Sequence, residues 1–198
     1  MIFIKWEYLL TKLVYRRFSR PLAKVLSKTS ISPNSITIVA ALIGVASGFL
    51  IAFGEIYLAV LVIFVSQILD CTDGDLARMT GRVTRKGAYI DRVFDRFVDS
   101  AIVAGMVALN PSKLWISGFL AIVGSFGVSV SRAMAEAEGA ECKVGVGGRD
   151  TRLAVIMVGL LVGAYLSSVS AIDMTLWIIA VLGFVTTFHR MVHTIKQL

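Results

Sequence analysis

Charge is scarce in this chain. Asp, Glu, Lys and Arg make up 17% of its 198 residues, where soluble domains carry about a quarter. Several stretches of roughly 18–25 residues hold almost no charge, a length that crosses the apolar core of a bilayer. With 57% hydrophobic residues and a mean hydropathy of +0.80, an integral membrane protein is expected, and a soluble all-helical core is the disfavoured alternative. Cysteine occurs twice, at Cys71 and Cys142, too few for a thiolate metal site. Both lie near segments expected to face the cytoplasm, where a disulfide is not expected. The N-terminus carries charge early and lacks a clean apolar core followed by small residues, so no cleaved signal peptide is expected. No internal repeat or low-complexity tract is present. Acids are scarcer than bases, 13 against 20, for a net charge of +7. In a soluble protein that excess would suggest nucleic acid; here the positive-inside rule accounts for it, and no nucleic-acid partner is expected.

The expected fold is an all-α integral membrane protein, one domain over residues 1–198. Six transmembrane helices follow an N-terminal amphipathic helix that lies in the headgroup region. That first helix, within residues 1–30, takes its apolar side from Ile2, Phe3, Ile4, Trp6, Leu9, Leu10 and Leu13. Lys12, Arg16, Arg20, Lys24 and Lys28 recur every four residues as a basic stripe. Pro21 is expected to bend or restart it. Ser32 and Pro33 suit the cap and first position of the next helix. The six spans are expected at about 35–53, 57–79, 87–109, 113–136, 152–170 and 174–195, a bundle over about 35–195. Short connections fall at 54–56, 110–112 and 171–173, and polar, glycine-rich ones at 80–86 and 137–151. Gly44 with Gly48, and Gly159 with Gly163, have the small-xxx-small spacing of closely packed membrane helices. Of the twenty basic residues, only Lys113 falls on the side opposite the others. Both termini are therefore expected in the cytoplasm of a multi-pass protein of the cell membrane.

Acids gather at one place. The stretch DCTDGDLARMTGRVTRKGAYIDRVFD, residues 70–95, places Asp70 and Asp73 three apart and Asp91 and Asp95 four apart. Each pair shares one face of a helix, and the turn at 80–86 brings the two helices back antiparallel. Unpaired, four carboxylates at a membrane edge would repel and be costly to desolvate. Hard divalent cations remove that conflict: Mg²⁺, Mn²⁺ or Ca²⁺ suits aspartate oxygens with no soft ligand nearby. Four aspartates can hold two such ions, the arrangement that clamps phosphate oxygens during displacement. Gly74 and Gly87 each cost roughly 1 kcal/mol inside a helix relative to alanine, and either a ligand against bare backbone or tight helix packing would justify it. Ala77 is small on the same face, and Arg78 can reach phosphate oxygens. Asp75 and Asp99 are expected to pair with local arginines such as Arg92 or Arg96.

The full pattern, Asp70-x2-Asp73-Gly74-x2-Ala77-Arg78-x8-Gly87-x3-Asp91-x3-Asp95, resembles the signature of the CDP-alcohol phosphatidyltransferase family at every defined position. The six-span length agrees, so the resemblance covers most of the chain, although this stretch alone is strongly diagnostic. The resemblance implies a membrane enzyme that moves a phospho-alcohol (phosphatidyl or archaetidyl) group from a CDP-alcohol, in most relatives a lipid, to an acceptor hydroxyl. CMP is released, at a site with two divalent cations, Mg²⁺ or Mn²⁺ (Ca²⁺ in a crystal), open to the cytoplasm, in a homodimer among membrane lipids. It implies that Asp70, Asp73 and Asp91 hold metal, and that Asp95 shares a metal and acts as general base. Asp91 and Asp95 are thus the catalytic candidates. Gly74, Ala77, Arg78 and Gly87 would line the CDP pocket with Asp73, and Asn34 and Thr37 look similar to family residues near the nucleotide.

The acceptor is read from the second cytoplasmic loop, SRAMAEAEGAECKVGVGGRDTRL. Arg132, Lys143, Arg149 and Arg152 can gather with Arg190, either as plain positive-inside charge or as an anion pocket for a phosphorylated acceptor. ECKVG followed by RDTR looks like family members that use inositol phosphate, although these usually carry an acid where Gly148 stands. Glycerol phosphate is the competing acceptor, and a soluble polyol donor stays open. Glu136, Glu138 and Glu141 are read as loop charges, and His189 and His193 as interface residues. A prenyltransferase is disfavoured because the two acid clusters lie close in sequence. A small cation transporter is disfavoured because the acids crowd one end of the spans rather than the bilayer middle.

Overall fold

The computed structural model describes residues 11–198, apart from the side chains of Lys12 and Leu13. A π-helical turn, Thr11–Tyr15, leads into seven α-helices: α1 Arg16–Leu26, α2 Pro33–Ala52, α3 Ile56–Met79, α4 Arg85–Ala108, α5 Pro111–Ala137, α6 Arg149–Tyr165 and α7 Val169–Ile195. No strand occurs among the described residues. The apolar side expected from Ile2, Phe3, Ile4, Trp6, Leu9 and Leu10 lies outside them. The helices form two compact units, one reaching Gly105 and the other starting at Met106.

Four helices, α2, α3, α5 and α7, are long and apolar enough to cross a membrane. This differs from six such spans, and the reason is local. Helix α4 carries Arg85, Lys86, Asp91, Arg92, Asp95, Arg96 and Asp99 in its first fifteen residues, and α6 has 17 residues and opens on Arg149, Asp150 and Arg152. The connection expected at 171–173 lies at 166–168 instead. Ser167 takes a positive φ there and the Ser168 hydroxyl accepts from the Ala171 amide at 3.4 Å, capping α7. Asp173, expected in that connection, is inside α7, where Ser117 of α5 donates to its Oδ1 at 2.6 Å. A charge met by a neighbouring helix needs no loop.

In the first unit, the Ser32 hydroxyl accepts from the Ser35 amide and Pro33 opens α2, as the sequence indicates. Ser66 of α3 donates to the Ala40 carbonyl of α2 at 2.8 Å. Helices α2 and α4 meet backbone to backbone. A Cβ on Gly48 would fall on the Ala101 carbonyl, and one on Gly105 would fall on the Gly48 carbonyl. Helix α1 runs unbroken through Pro21, and one lost hydrogen bond is offset by its docking on α3. Tyr15, Ser19 and Ala23 form its buried stripe. Tyr15 and Phe18 set their rings against Phe64, and Ala23 joins Ile36 and Leu76, with Leu26 and Leu69 packed around them. Arg17, Arg20 and Lys24 are exposed.

In the second unit, α5 and α7 cross at Gly124 and Gly183; a Cβ on Gly124 would lie 3.1 Å from the Ala180 carbonyl. Gly159 and Gly163 of α6 face Thr175 and Ile172 of α7. The contact of α2 with α4 sets a direct test. Gly105→Ala is expected to destabilise the detergent-purified protein by about 1–3 kcal/mol through overpacking. Thermal unfolding reads this as a lower Tm, and an unchanged Tm would contradict the close backbone approach.

Candidate functional site

The site is built where α3 ends and α4 begins. Gly81, at positive φ, closes α3: the Arg82 amide returns to the Ala77 carbonyl and the Thr80 amide to Leu76, each at 2.9 Å. The Arg82 bond, which spans the glycine, is the ordinary way for a glycine to end a helix. Thr84 then starts α4 by accepting the Gly87 amide on its hydroxyl at 3.0 Å. This short reversal sets the register of the two helices, and three carboxylates meet. One oxygen each of Asp70, Asp91 and Asp95 lies within 4.8 Å of the others, and all three side chains are half-buried. Such spacing suits carboxylates that share hard cations.

Asp73 is not part of that trio. It is buried, and its Oδ2 accepts from the Thr37 hydroxyl of α2 at 2.5 Å. Thr37 thus acts on an aspartate of the pattern, one turn from Asn34, which stands beside α4. A Cβ on Gly87 would come within 2.9 Å of Asn34 Oδ1, which explains the absence of a side chain there. Gly74 has a parallel reason: a Cβ would lie 3.3 and 3.5 Å from the two terminal nitrogens of Arg78. The guanidinium folds back over bare backbone, next in sequence to Asp73.

The partner of Asp75 differs from the expected Arg92 or Arg96. Its Oδ1 accepts from Arg78 Nη2 at 2.8 Å, and its Oδ2 accepts from the Ser19 hydroxyl of α1 at 2.7 Å. An aspartate three residues before an arginine on one helix reaches it more readily than a residue across the turn. Ser19 gave no signal in the sequence, standing 56 positions away in a helix read as interfacial. Arg96 lies 3.5 Å from Asp95 Oδ2.

The acceptor candidates lie in the second unit. Arg190 is 3% exposed; its Nε donates to the Val144 carbonyl at 2.8 Å and its Nη1 to the Val128 carbonyl at 2.5 Å. Arg152, equally buried, donates to the Gly147 carbonyl at 2.7 Å. Arg132 pairs with Glu136 at 2.8 Å, and Arg149 opens α6 in a half-buried place. The loop between α5 and α6 is therefore fastened to α7. Thr186 accepts the Gly147 amide at 2.9 Å, and the Gln197 side chain exchanges two hydrogen bonds with the Glu141 backbone.

The model of the CDP-alcohol phosphatidyltransferase family matches residues 30–188, which include the whole acid cluster. The chain belongs to this family. Among its relatives is the archaetidylinositol phosphate synthase of Pyrococcus horikoshii, 31% identical over 89% of this chain and 90% of that protein. The Mycobacterium tuberculosis phosphatidylinositol phosphate synthase, with CDP-DAG bound, has a similar structure. Its TM-score is 0.81 at 27% identity, over 90% of this chain and 94% of that one. The same mycobacterial enzyme in complex with manganese and citrate gives a TM-score of 0.80 at 27% identity, over 89% and 88%.

The buried Arg190 sets a test of its structural role. Arg190→Met removes the guanidinium from the part-buried Val144 carbonyl and from the Val128 carbonyl, which keeps the Ser131 hydroxyl; a buried acceptor left unsatisfied costs about 1–3 kcal/mol. The Tm is expected to fall markedly, and Arg190→Lys to recover little of it, because an ammonium cannot reproduce the guanidinium fork. A Tm equal to wild type in Arg190→Met would contradict the structural role.

Proposed function

We propose that this chain transfers a phosphatidyl or archaetidyl group from a CDP-alcohol to a hydroxyl of inositol phosphate, releasing CMP. The observation that carries the reading is the meeting of Asp70, Asp91 and Asp95 within 4.8 Å, in a chain related to synthases of two inositol phosphate lipids. The donor set fits divalent cations: aspartate oxygens on rigid helices, with no thiolate or imidazole among them. Asp70, Asp91 and Asp95, with Asp73 beside them, would hold Mg²⁺ or Mn²⁺, in keeping with the manganese complex of the mycobacterial relative. Two cations held there would supply neutralisation of charge on the diphosphate oxygens.

The residues of the chain do the rest. Asp95 takes the proton of the acceptor hydroxyl as its oxygen attacks the phosphorus that bears the alcohol. The bond from that phosphorus to the bridging oxygen breaks, and CMP leaves with the electron pair. Thr37 orients Asp73 by its hydroxyl. Gly74 and Gly87 let Arg78 and Asn34 lie close against the helix backbone; with Ala77 these residues are read as lining the nucleotide pocket, where Arg78 adds positive charge to the diphosphate. Arg132, Arg149, Arg152 and Arg190 are read as the cationic group for the acceptor phosphate, two of them also holding the loop that frames it.

The same reading takes α2 to α7 as six spans of one domain, since 17 residues are at the lower limit for crossing. It takes α1 to lie along the cytoplasmic interface, and both termini and the acid cluster to face the cytoplasm of the cell membrane. A homodimer among membrane lipids follows the family resemblance. Nineteen of the twenty basic residues on one side support this orientation.

CMP release from CDP-diacylglycerol tests the reaction across inositol phosphate, glycerol phosphate, serine and inositol. Release is expected with inositol phosphate. Asp95→Asn is expected to lower it by roughly 10²-fold or more, as for loss of a general base, while CDP-lipid binding is kept. Release with glycerol phosphate alone would move the acceptor assignment, and full activity of Asp95→Asn would remove the base.

A further inference from the structure

Asp75 is outside the spaced pattern of acids, and its surroundings do not suit a plain surface ion pair. Its side chain is 8% exposed, while that of its partner Arg78 is 57% exposed. An exposed arginine gains little from a neighbour three residues away on a helix, and burying a carboxylate for that purpose alone would be unfavourable. Both oxygens of Asp75 are nevertheless taken, one by Arg78 and one by Ser19. Ser19 has no exposed surface. It sits at the centre of the α1 stripe, one turn from Tyr15 and one turn from Ala23, the two residues that dock α1 on α3. The hydroxyl is therefore delivered to Asp75 by apolar contacts on either side of it.

The other end of the relay is equally constrained. The Arg78 guanidinium lies within 3.3 to 3.5 Å of where a Gly74 Cβ would stand. Without Asp75, a side chain with this much exposure would sample many rotamers and lose that freedom on binding an anion. With Asp75 it is held in place beforehand. We propose that Asp75 is a positioning residue, fastened by Ser19 of α1, that holds Arg78 over Gly74 ready for the donor diphosphate. The inference rests on the proposed transfer reaction, in which Arg78 meets the diphosphate. It makes α1 part of the site's architecture: a helix with an exposed basic face and a buried serine ties the alignment of a phosphate-binding arginine to its own docking.

A double-mutant cycle on the full chain in detergent, with saturating Mn²⁺, tests the relay. kcat/KM for CDP-diacylglycerol and KM for inositol phosphate are measured in Asp75→Asn, Ser19→Ala, Arg78→Ala and the combined variants. Asp75→Asn is expected to lower kcat/KM for the donor roughly tenfold, as for loss of a charge-assisted hydrogen bond, and Ser19→Ala by less. KM for the acceptor should stay unchanged. In the Arg78→Ala background, neither substitution should cause further loss, because a residue that acts through Arg78 has nothing left to act on. Where Asp75→Asn does not fold, Ser19→Ala with Arg78→Ala runs the same cycle. Losses that add, or an Asp75→Asn enzyme as active as wild type, would overturn the relay and leave the reaction standing. A wild-type protein that releases no CMP with any acceptor would remove the reaction, and the relay with it.

Discussion

Three carboxylates held within 4.8 Å of one another are the constraint that the first unit of this protein is arranged around. Like charges so close repel, and the repulsion grows as water is excluded. The chain does not disperse them. It ends α3 at Gly81 and restarts at Thr84, so that Asp91 and Asp95 return to Asp70. Helix α2 is pressed against α4 at Gly48 and Gly105 until backbone meets backbone. The fourth aspartate, Asp73, is satisfied from α2 by Thr37. Each of these features helps to hold carboxylates together, and hard divalent cations between them would offset the repulsion compactly.

The same logic explains why basic side chains near the chain's polar segments are not interchangeable. Arg78 is exposed and held by one edge, a state suited to meeting an anion. Arg190 of α7 and Arg152 of α6 are buried and bonded to carbonyls, a state suited to holding the loop between α5 and α6 against its flanking helices. Burial and partners distinguish what each one does.

Much of this was legible in the residues. Helix existence followed from charge-free length, and the start of α2 from Ser32 and Pro33. The convergence of the acids followed from helical spacing on two neighbouring helices. What escaped depended on contacts between residues distant in sequence. The break between α6 and α7 lies five residues before the expected 171–173, and Ser117, 56 positions from Asp173, shows how a helix holds that acid. Local charge offers Asp75 several arginines, Arg92 and Arg96 among them, whereas burial selects Arg78. Spacing places Asp73 with the other three acids, while its contact with Thr37 depends on how α2 lies against α3. Gly124 and Gly183 show the same limit, since each glycine has meaning only through the other.

Asp70, Asp91 and Asp95 lie close enough to share divalent cations. Electron paramagnetic resonance of Mn²⁺ titrated into the detergent-purified chain measures this without turnover. Two bound Mn²⁺ per chain are expected, displaced by Mg²⁺ and lost when Asp70 and Asp91 are both replaced by Asn. Mn²⁺ that remains free in solution, or that binds equally well to the doubly substituted chain, would contradict it.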